Sequence, residues 1–197
     1  MIKPNLLFPT PIWTMQLENY KIINEQMYDF IKNKQIDDQK GINKSNIKGW
    51  HSKDFNLNEK EPRSFIRFIS SSIEQVMIDM NWEREKQKIK ISNMWAIINT
   101  GGSTNVRHQH GNSAISGAYY VRAPKDCGDI VFYDPRPAPV YSYPKAIGSN
   151  LLNAQVNGIS PREGALVLFP SYVDHSVNEN LSNEERMVIS FNITIQS

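Results

Sequence analysis

From Lys88 onward the chain breaks into short runs rich in β-branched and aromatic residues. These are IKISNMWAIINT, AISGAYYV, DIVFYD, APVYSY, GALVLF and RMVISFNI, and TGG, PKDCG, DPRP and SPREG separate them as turn chemistry. A parallel pairing needs a crossover connection of about a dozen residues or more, usually a helix. No segment between these runs has that character, so a doubly wound parallel sheet is not expected. Many short strands without crossover helices predict an antiparallel sandwich or jelly roll.

The first half reads differently. In KIINEQMYDFIKNK, Ile23, Met27, Phe30 and Ile31 fall on the i, i+4, i+7, i+8 stripe of an amphipathic helix. From Pro62 to Trp82 a second stripe follows, through Phe65, Ile69, Ile73, Val76 and Met80, with Pro62 suited to a first turn. Between them DDQKGINKSNIKGWHSKDFNLNEKE is polar and turn-rich, and predicts a surface loop. The fold class expected is therefore α+β, with two helices packed on a barrel-like β core. At 197 residues one domain is expected over 1–197, with 1–88 mainly helical and 89–197 forming the core.

Composition narrows the class. The formal net charge of +2 gives no electrostatic case for nucleic acid or an anionic membrane. No apolar run is long enough to span a bilayer, and Pro4, Pro9 and Pro11 interrupt the apolar start MIKPNLLFPTPIW. The single cysteine, Cys127, suits a reducing compartment, so a cytoplasmic protein is the expectation. The chain could form a homodimer. No G-x-S-x-G nucleophile motif occurs.

Two of the four histidines stand one residue apart, in Asn105-Val106-Arg107-His108-Gln109-His110. On a strand, residues i and i+2 share a face, so His108 and His110 would project together and Gln109 away. Two convergent imidazoles suit one metal ion, at bond lengths of roughly 2.0–2.2 Å. His175, in FPSYVDHSV just after GALVLF, is the candidate third ligand. The competing reading is a coincidence on a solvent-facing strand end.

Eleven residues further on, Arg186 opens RMVISFNI. Arg186, Val188, Ser190 and Asn192 would share one face, and Met187, Ile189, Phe191 and Ile193 a core face. A guanidinium looking into a barrel is costly unless an anion meets it, and a carboxylate does so bidentately. The plain alternative pairs Arg186 with Glu184 or Glu185 at the surface. In AISGAYYV, Ser116, Ala118 and Tyr120 would line up, leaving ligand room beside a tyrosine hydroxyl.

In this order the residues resemble the Fe(II)/2-oxoglutarate-dependent oxygenases, whose pattern is His-x-Asp, a distal His, and an Arg or Lys about ten residues later. VRHQH followed by SGAYYV is similar to the prolyl-hydroxylase branch. LFPTPIW and SGAYYV…GDIVFYDPR resemble a group of small uncharacterised members of the superfamily. The resemblance covers about Trp95 to Ile193 and the N-terminal signature. It implies a double-stranded β-helix, Fe(II) held by His108, His110 and His175, and 2-oxoglutarate held at its far carboxylate by Arg186 and Tyr120. It also implies molecular oxygen as co-reactant and a small-molecule or peptidyl substrate to be hydroxylated. Trp50 and His51, on a loop that could cover the barrel mouth, and Trp95 and Arg136 are the candidate substrate contacts.

The departure from the pattern is His110, which stands where the family has a carboxylate. It either ligates as a third imidazole or leaves the metal to two histidines and a water, or Asp174 takes its place. Two other functions stay open on these residues: a three-histidine zinc site that activates water, and a cupin-like binding module without catalysis. Arg186 separates the first, since a zinc lyase needs no guanidinium deep in its barrel.

Overall fold

The structure, a computed structural model, describes residues 3–83, 85–137 and 144–196. Two antiparallel sheets pack face to face. The six-stranded sheet runs in the order β1 (Trp13–Gln16), β9 (Ala165–Pro170), β6 (Ile115–Arg122), β11 (Arg186–Gln196), β4 (Lys88–Asn99) and β3 (Trp50–His51). The five-stranded sheet runs β2 (Asn46–Ile47), β5 (Thr104–His108), β10 (His175–Val177), β7 (Ile130–Tyr133) and β8 (Val156–Ile159). This is the double-stranded β-helix. The run APVYSY, expected as a strand, lies outside the described residues.

The larger sheet is buried on both faces, and the alternation of side chains along its strands decides what each face meets. Met187, Ile189, Phe191 and Ile193 of β11 join Ile115, Tyr119, Leu166 and Leu168 in one cluster with Ile23, Met27, Phe30, Phe65, Ile69 and Val76. Those last six come from α1 (Tyr20–Asp37) and α2 (Lys60–Asp79), so both helices cover the outer face. The inner face carries Ala118, Tyr120, Val167, Phe169 and Val188, packed against Ile130 and Phe132 of the smaller sheet. Burying each large apolar side chain contributes roughly 1.5–3 kcal/mol, so the helix layer is a main source of stability. No helix among the described residues is long and apolar enough to cross a membrane.

Phe191 lies opposite Gly117 in the β11–β6 register, and a Cβ added at Gly117 would overlap the Phe191 ring. Phe191 is fully buried and has nowhere to turn. Gly117→Ala should therefore destabilise the fold by about 1–3 kcal/mol, read as a lower urea midpoint at unchanged slope. A midpoint equal to wild type would show that the ring is free to shift.

The polar segment between the helices is not the surface loop expected. Trp50, His51, Ser52 and Phe55 are buried. Ser52 N donates to Ala96 O at 2.9 Å, Ala96 N to Ser52 Oγ at 2.9 Å, and Phe55 N to Met94 O at 2.7 Å, which fasten the segment along β4. Val106 N donates to Ser45 O at 2.9 Å and ties it to β5 as well. Stitched to both sheets in this way, the segment is a wall of the barrel rather than a cover over its mouth.

Candidate metal centre

The register of the smaller sheet sets His175 of β10 directly opposite His108 of β5. Strand β5 ends at His108, so His110 is not its neighbour on a strand face; it stands two residues beyond the strand, where its backbone N donates to Ser171 O at 3.0 Å. The chain still brings the three rings together. One ligand atom from each of His108, His110 and His175 lies within 4.8 Å of the others, and His110 Nε2 is 3.3 Å from His175 Nε2. Two nitrogens bound at right angles to one ion at roughly 2.1 Å stand about 3 Å apart, so the pair is already near ligating separation.

The backbone fixes the tautomers. His108 Nδ1 lies 2.7 Å from Val106 O and His175 Nδ1 3.1 Å from Val173 O. A carbonyl only accepts, so both Nδ1 atoms carry the proton and both Nε2 lone pairs are offered to a metal. Burial lowers all three imidazoles: His175 to about 3, with His108 and His110 adding to the effect; His110 to about 4, with help from His108; and His108 in the same direction. All three are neutral at neutral pH, which is the ligating form.

The same shifts give the metal-free fold a pH dependence. Unfolded, these histidines titrate near the ordinary 6.5, whereas folded His110 and His175 do so near 4 and 3. Over that interval the unfolded chain binds more protons, so stability is complete above about pH 6.5 and is lost as pH falls toward those values. The thermal midpoint of the apoprotein should fall from pH 6.5 to pH 4, and less steeply in His175→Asn. Equal slopes for the two proteins would contradict the assignment.

Asp174 is engaged by Arg107. Its Oδ2 accepts from Arg107 Nε at 2.9 Å and pairs with Nη2 at 2.6 Å, while the Arg107 guanidinium stacks over Tyr133 at 4.1 Å. The ion pair joins the residues immediately before His108 and His175.

The three histidines, Tyr120 and Arg186 border one cavity of about 680 Å³. Arg186 is 2% exposed. Its Nη1 donates to Cys127 O at 2.6 Å and Gly128 O at 2.9 Å, and no acidic side chain pairs with it among the described residues. Glu185 pairs with Lys32 instead, at 3.1 Å. The turn that supplies those carbonyls needs Gly128, whose φ is +89° and whose added Cβ would overlap Asn178 O. Burial pulls the guanidinium down from its ordinary range and pushes the Tyr120 hydroxyl up, while the neighbouring Arg186 draws that hydroxyl back down. A guanidinium beside a hydroxyl, both buried and short of partners, is the chemistry of a carboxylate site.

His51 and Trp95 also line the cavity, and their rings stack parallel, 5.7 Å apart at 8°. Trp95 also stacks with His110, at 5.7 Å and 30°. Two candidate substrate residues are placed elsewhere. Trp50 is in the hydrophobic core, its Nε1 donating to Asp38 O at 2.8 Å. Arg136 is folded back on Asp134 through Nε at 3.0 Å and Nη2 at 2.8 Å, away from the cavity lining. Gln109, expected to turn away, borders the cavity because its segment has left the sheet. Ser45, Lys53 and Asp54 join the lining with no motif to announce them; their one signal is their place in the polar segment that becomes the wall.

A double-stranded β-helix with convergent histidines and a buried arginine defines a class, and the comparisons agree with it. A family model described as "Putative 2OG-Fe(II) oxygenase" matches residues 93–192. The chain belongs to this family of Fe(II)- and 2-oxoglutarate-dependent oxygenases, with Fe(II) and 2-oxoglutarate as its cofactors. No curated protein matches the sequence. Among solved structures, a prolyl-4-hydroxylase from Pseudomonas putida aligns over 94% of this chain and 92% of its own, with TM-score 0.65 and 11% identity. A prolyl hydroxylase from Trichoplax adhaerens, in complex with a hypoxia inducible factor oxygen degradation domain peptide fragment, covers 93% and 83% at TM-score 0.62 and 14% identity. The non-heme alpha-ketoglutarate-dependent epimerase SnoN from nogalamycin biosynthesis covers 94% and 76% at TM-score 0.68 and 10% identity. At these identities the likeness is one of fold. Family membership displaces the zinc and non-catalytic readings.

Proposed function

We propose that this oxygenase is a hydroxylase of a small-molecule or peptidyl substrate, with His108, His110 and His175 as the three metal ligands and Arg186 and Tyr120 as the seat of the 2-oxoglutarate far carboxylate. The observation that carries the reading is the buried Arg186 guanidinium on the wall of the same cavity as three neutral, convergent imidazoles. When bound, Fe(II) and 2-oxoglutarate supply the oxidising chemistry: the cosubstrate is oxidatively decarboxylated to succinate and carbon dioxide as oxygen is consumed and the substrate is oxidised.

The chain's own part is position and exclusion. Arg186, anchored by two carbonyls, presents its remaining N–H groups, and Tyr120 donates its hydroxyl proton to the same anion. That fixes one end of the cosubstrate and so aligns the other with the histidines. Phe169, Val188 and Ile130 keep the cavity wall apolar around it, which strengthens each charge-assisted hydrogen bond. Three neutral imidazoles leave a bound Fe(II) one unit more positive than two imidazoles and a carboxylate would, which favours a dianionic cosubstrate.

The single domain expected over residues 1–197 fits this reading, since the helices of the first half cover the sheet that carries Tyr120 and Arg186. The reading is tested by incubating purified protein with Fe(II), 2-oxoglutarate and air and following succinate by NMR. Slow succinate release without added substrate, lost in His175→Ala, is the expected result. No succinate above the His175→Ala background, with both cofactors bound, would overturn it.

A further inference from the structure

The cavity carries polar chemistry that the cosubstrate does not use. On the reading of Arg186 as the carboxylate seat, on which this inference rests, the paired strands β4 and β11 lead away from that seat. Arg186 lies opposite Asn99, Ser190 opposite Trp95, and Asn192 opposite Asn93. From Arg186 to Ser190 is about 13 Å along the strand, so the Trp95 and Asn93 region is a separate end of the same cavity.

The polar groups at that end, buried His51 and Trp95 and half-buried Asn93, are uncharged. His51 is 5% exposed, and its Nδ1 lies 2.6 Å from Ser52 O. Because the carbonyl only accepts, Nδ1 carries the proton, and Nε2 is an acceptor without a partner among the described residues. Asn93 Oδ1 accepts from Asn192 Nδ2 at 3.1 Å and from Ser92 Oγ at 3.2 Å, so its NH₂ is the end left to donate. Trp95 Nε1 is a buried donor with no partner among the described residues. The charged residues that the polar segment adds to the lining, Lys44, Lys53 and Asp54, are exposed; Lys53 is paired with Asp38 at 3.0 Å.

An acceptor and two donors lining one cavity call for a neutral group that both donates and accepts. A carboxylate would set its charge against the His51 lone pair and leave it without a donor. An ammonium would leave the Asn93 and Trp95 donors unmet. An amide meets both kinds of group at once. We propose that the primary substrate is held at this end by an uncharged amide, its N–H given to His51 Nε2 and its carbonyl received by Asn93 Nδ2 and the Trp95 indole. His51 is thus a specificity-determining residue for an amide-bearing substrate.

Acetamide and acetate are a matched pair of probes for this subsite. The protein is loaded with Zn(II) and 2-oxoglutarate, and cosubstrate binding is first verified by calorimetry; failure at that step counts against the cosubstrate seat and not against the amide subsite. The indole N–H signals of the four tryptophans are then followed by NMR, with Trp95 assigned from Trp95→Phe. Acetamide should shift the Trp95 signal saturably and leave those of Trp13 and Trp50, already bonded to Asp79 and to Asp38 O, in place. Acetate should bind more weakly. In His51→Phe, which keeps the ring stack, the acetamide Kd should rise about tenfold, the loss of one hydrogen bond. An unmoved Trp95 signal with 2-oxoglutarate bound, acetate binding as tightly as acetamide, or an unchanged Kd in His51→Phe would each overturn the proposal. The acetamide and acetate comparison in wild type decides it should the variant not fold.

Discussion

Replacing Arg186 with Met should cost this protein its 2-oxoglutarate and little of its stability. Removing one partner of a buried, hydrogen-bonded charge pair typically costs about 2–5 kcal/mol, which corresponds to a Kd for 2-oxoglutarate raised by roughly 30-fold to several thousand-fold. The effect on the fold is a near balance. Met fills similar space without a buried charge, which is favourable, but Cys127 O and Gly128 O lose their donor, which is not. Calorimetry with Zn(II)-loaded protein and a thermal scan of the same sample separate the two effects. A stable variant that still binds 2-oxoglutarate as wild type does would show that Arg186 is only a structural cation. A conservative Arg186→Lys restores charge but not the bidentate fork, and should recover part of the affinity.

The second large effect concerns His110. Arg186→Met leaves the metal ligands in place, whereas His110→Ala removes one of three and should lower metal affinity by at least about tenfold to a hundredfold, with succinate formation falling in step. His110→Asp should behave differently. Two imidazoles and one carboxylate form the facial triad of non-haem Fe(II) oxygenases, so this variant should bind Fe(II) at least as tightly as wild type and still form succinate. Metal titration and succinate yield measure both variants side by side. If His110→Ala binds metal and turns over as wild type does, His110 is no ligand and two histidines carry the site.

Much of this architecture is legible in the pattern of residues, for reasons that differ strand by strand. Strand β11 alternates cleanly, so its core face and its cavity face separate on the residue pattern alone, and that alternation puts Arg186 on the cavity face. The stripes of α1 and α2 are long enough to average out single exceptions. What does not show in the pattern is short or held by distant partners. Strands β2 and β3 have two residues each, below the length at which periodicity means anything, and they exist because β5 and β4 offer them an edge. Strand β8, VNGI, has a glycine and an asparagine that lower its own preference for a strand, and its pairing with β7 overrides that preference.

The metal-site residues show the same division. The i, i+2 argument pairs His108 with His110 on one strand, but β5 ends first, and the convergence depends on a backbone bond from His110 to Ser171 that no spacing rule contains. His175 is marked by its place after a strand, and its register opposite His108 supplies the reason. Trp50 and His51 are adjacent in sequence and read as a pair, yet alternation along β3 sends the indole into the core and the imidazole to the cavity. Arg136 is claimed by Asp134 two residues earlier in the same turn, a local pairing that its reading as a substrate contact passed over.

The most direct test of the account is anaerobic. Fe(II) and then 2-oxoglutarate are added to the apoprotein, and the visible spectrum is followed for the metal-to-ligand charge-transfer band. The band is expected in wild type and in His110→Asp, and is expected to be absent in His175→Ala and, at the 2-oxoglutarate concentration that saturates wild type, in Arg186→Met. No band in wild type with both Fe(II) and 2-oxoglutarate shown to be bound would mean that the cosubstrate does not meet the metal, and would contradict the account at its centre.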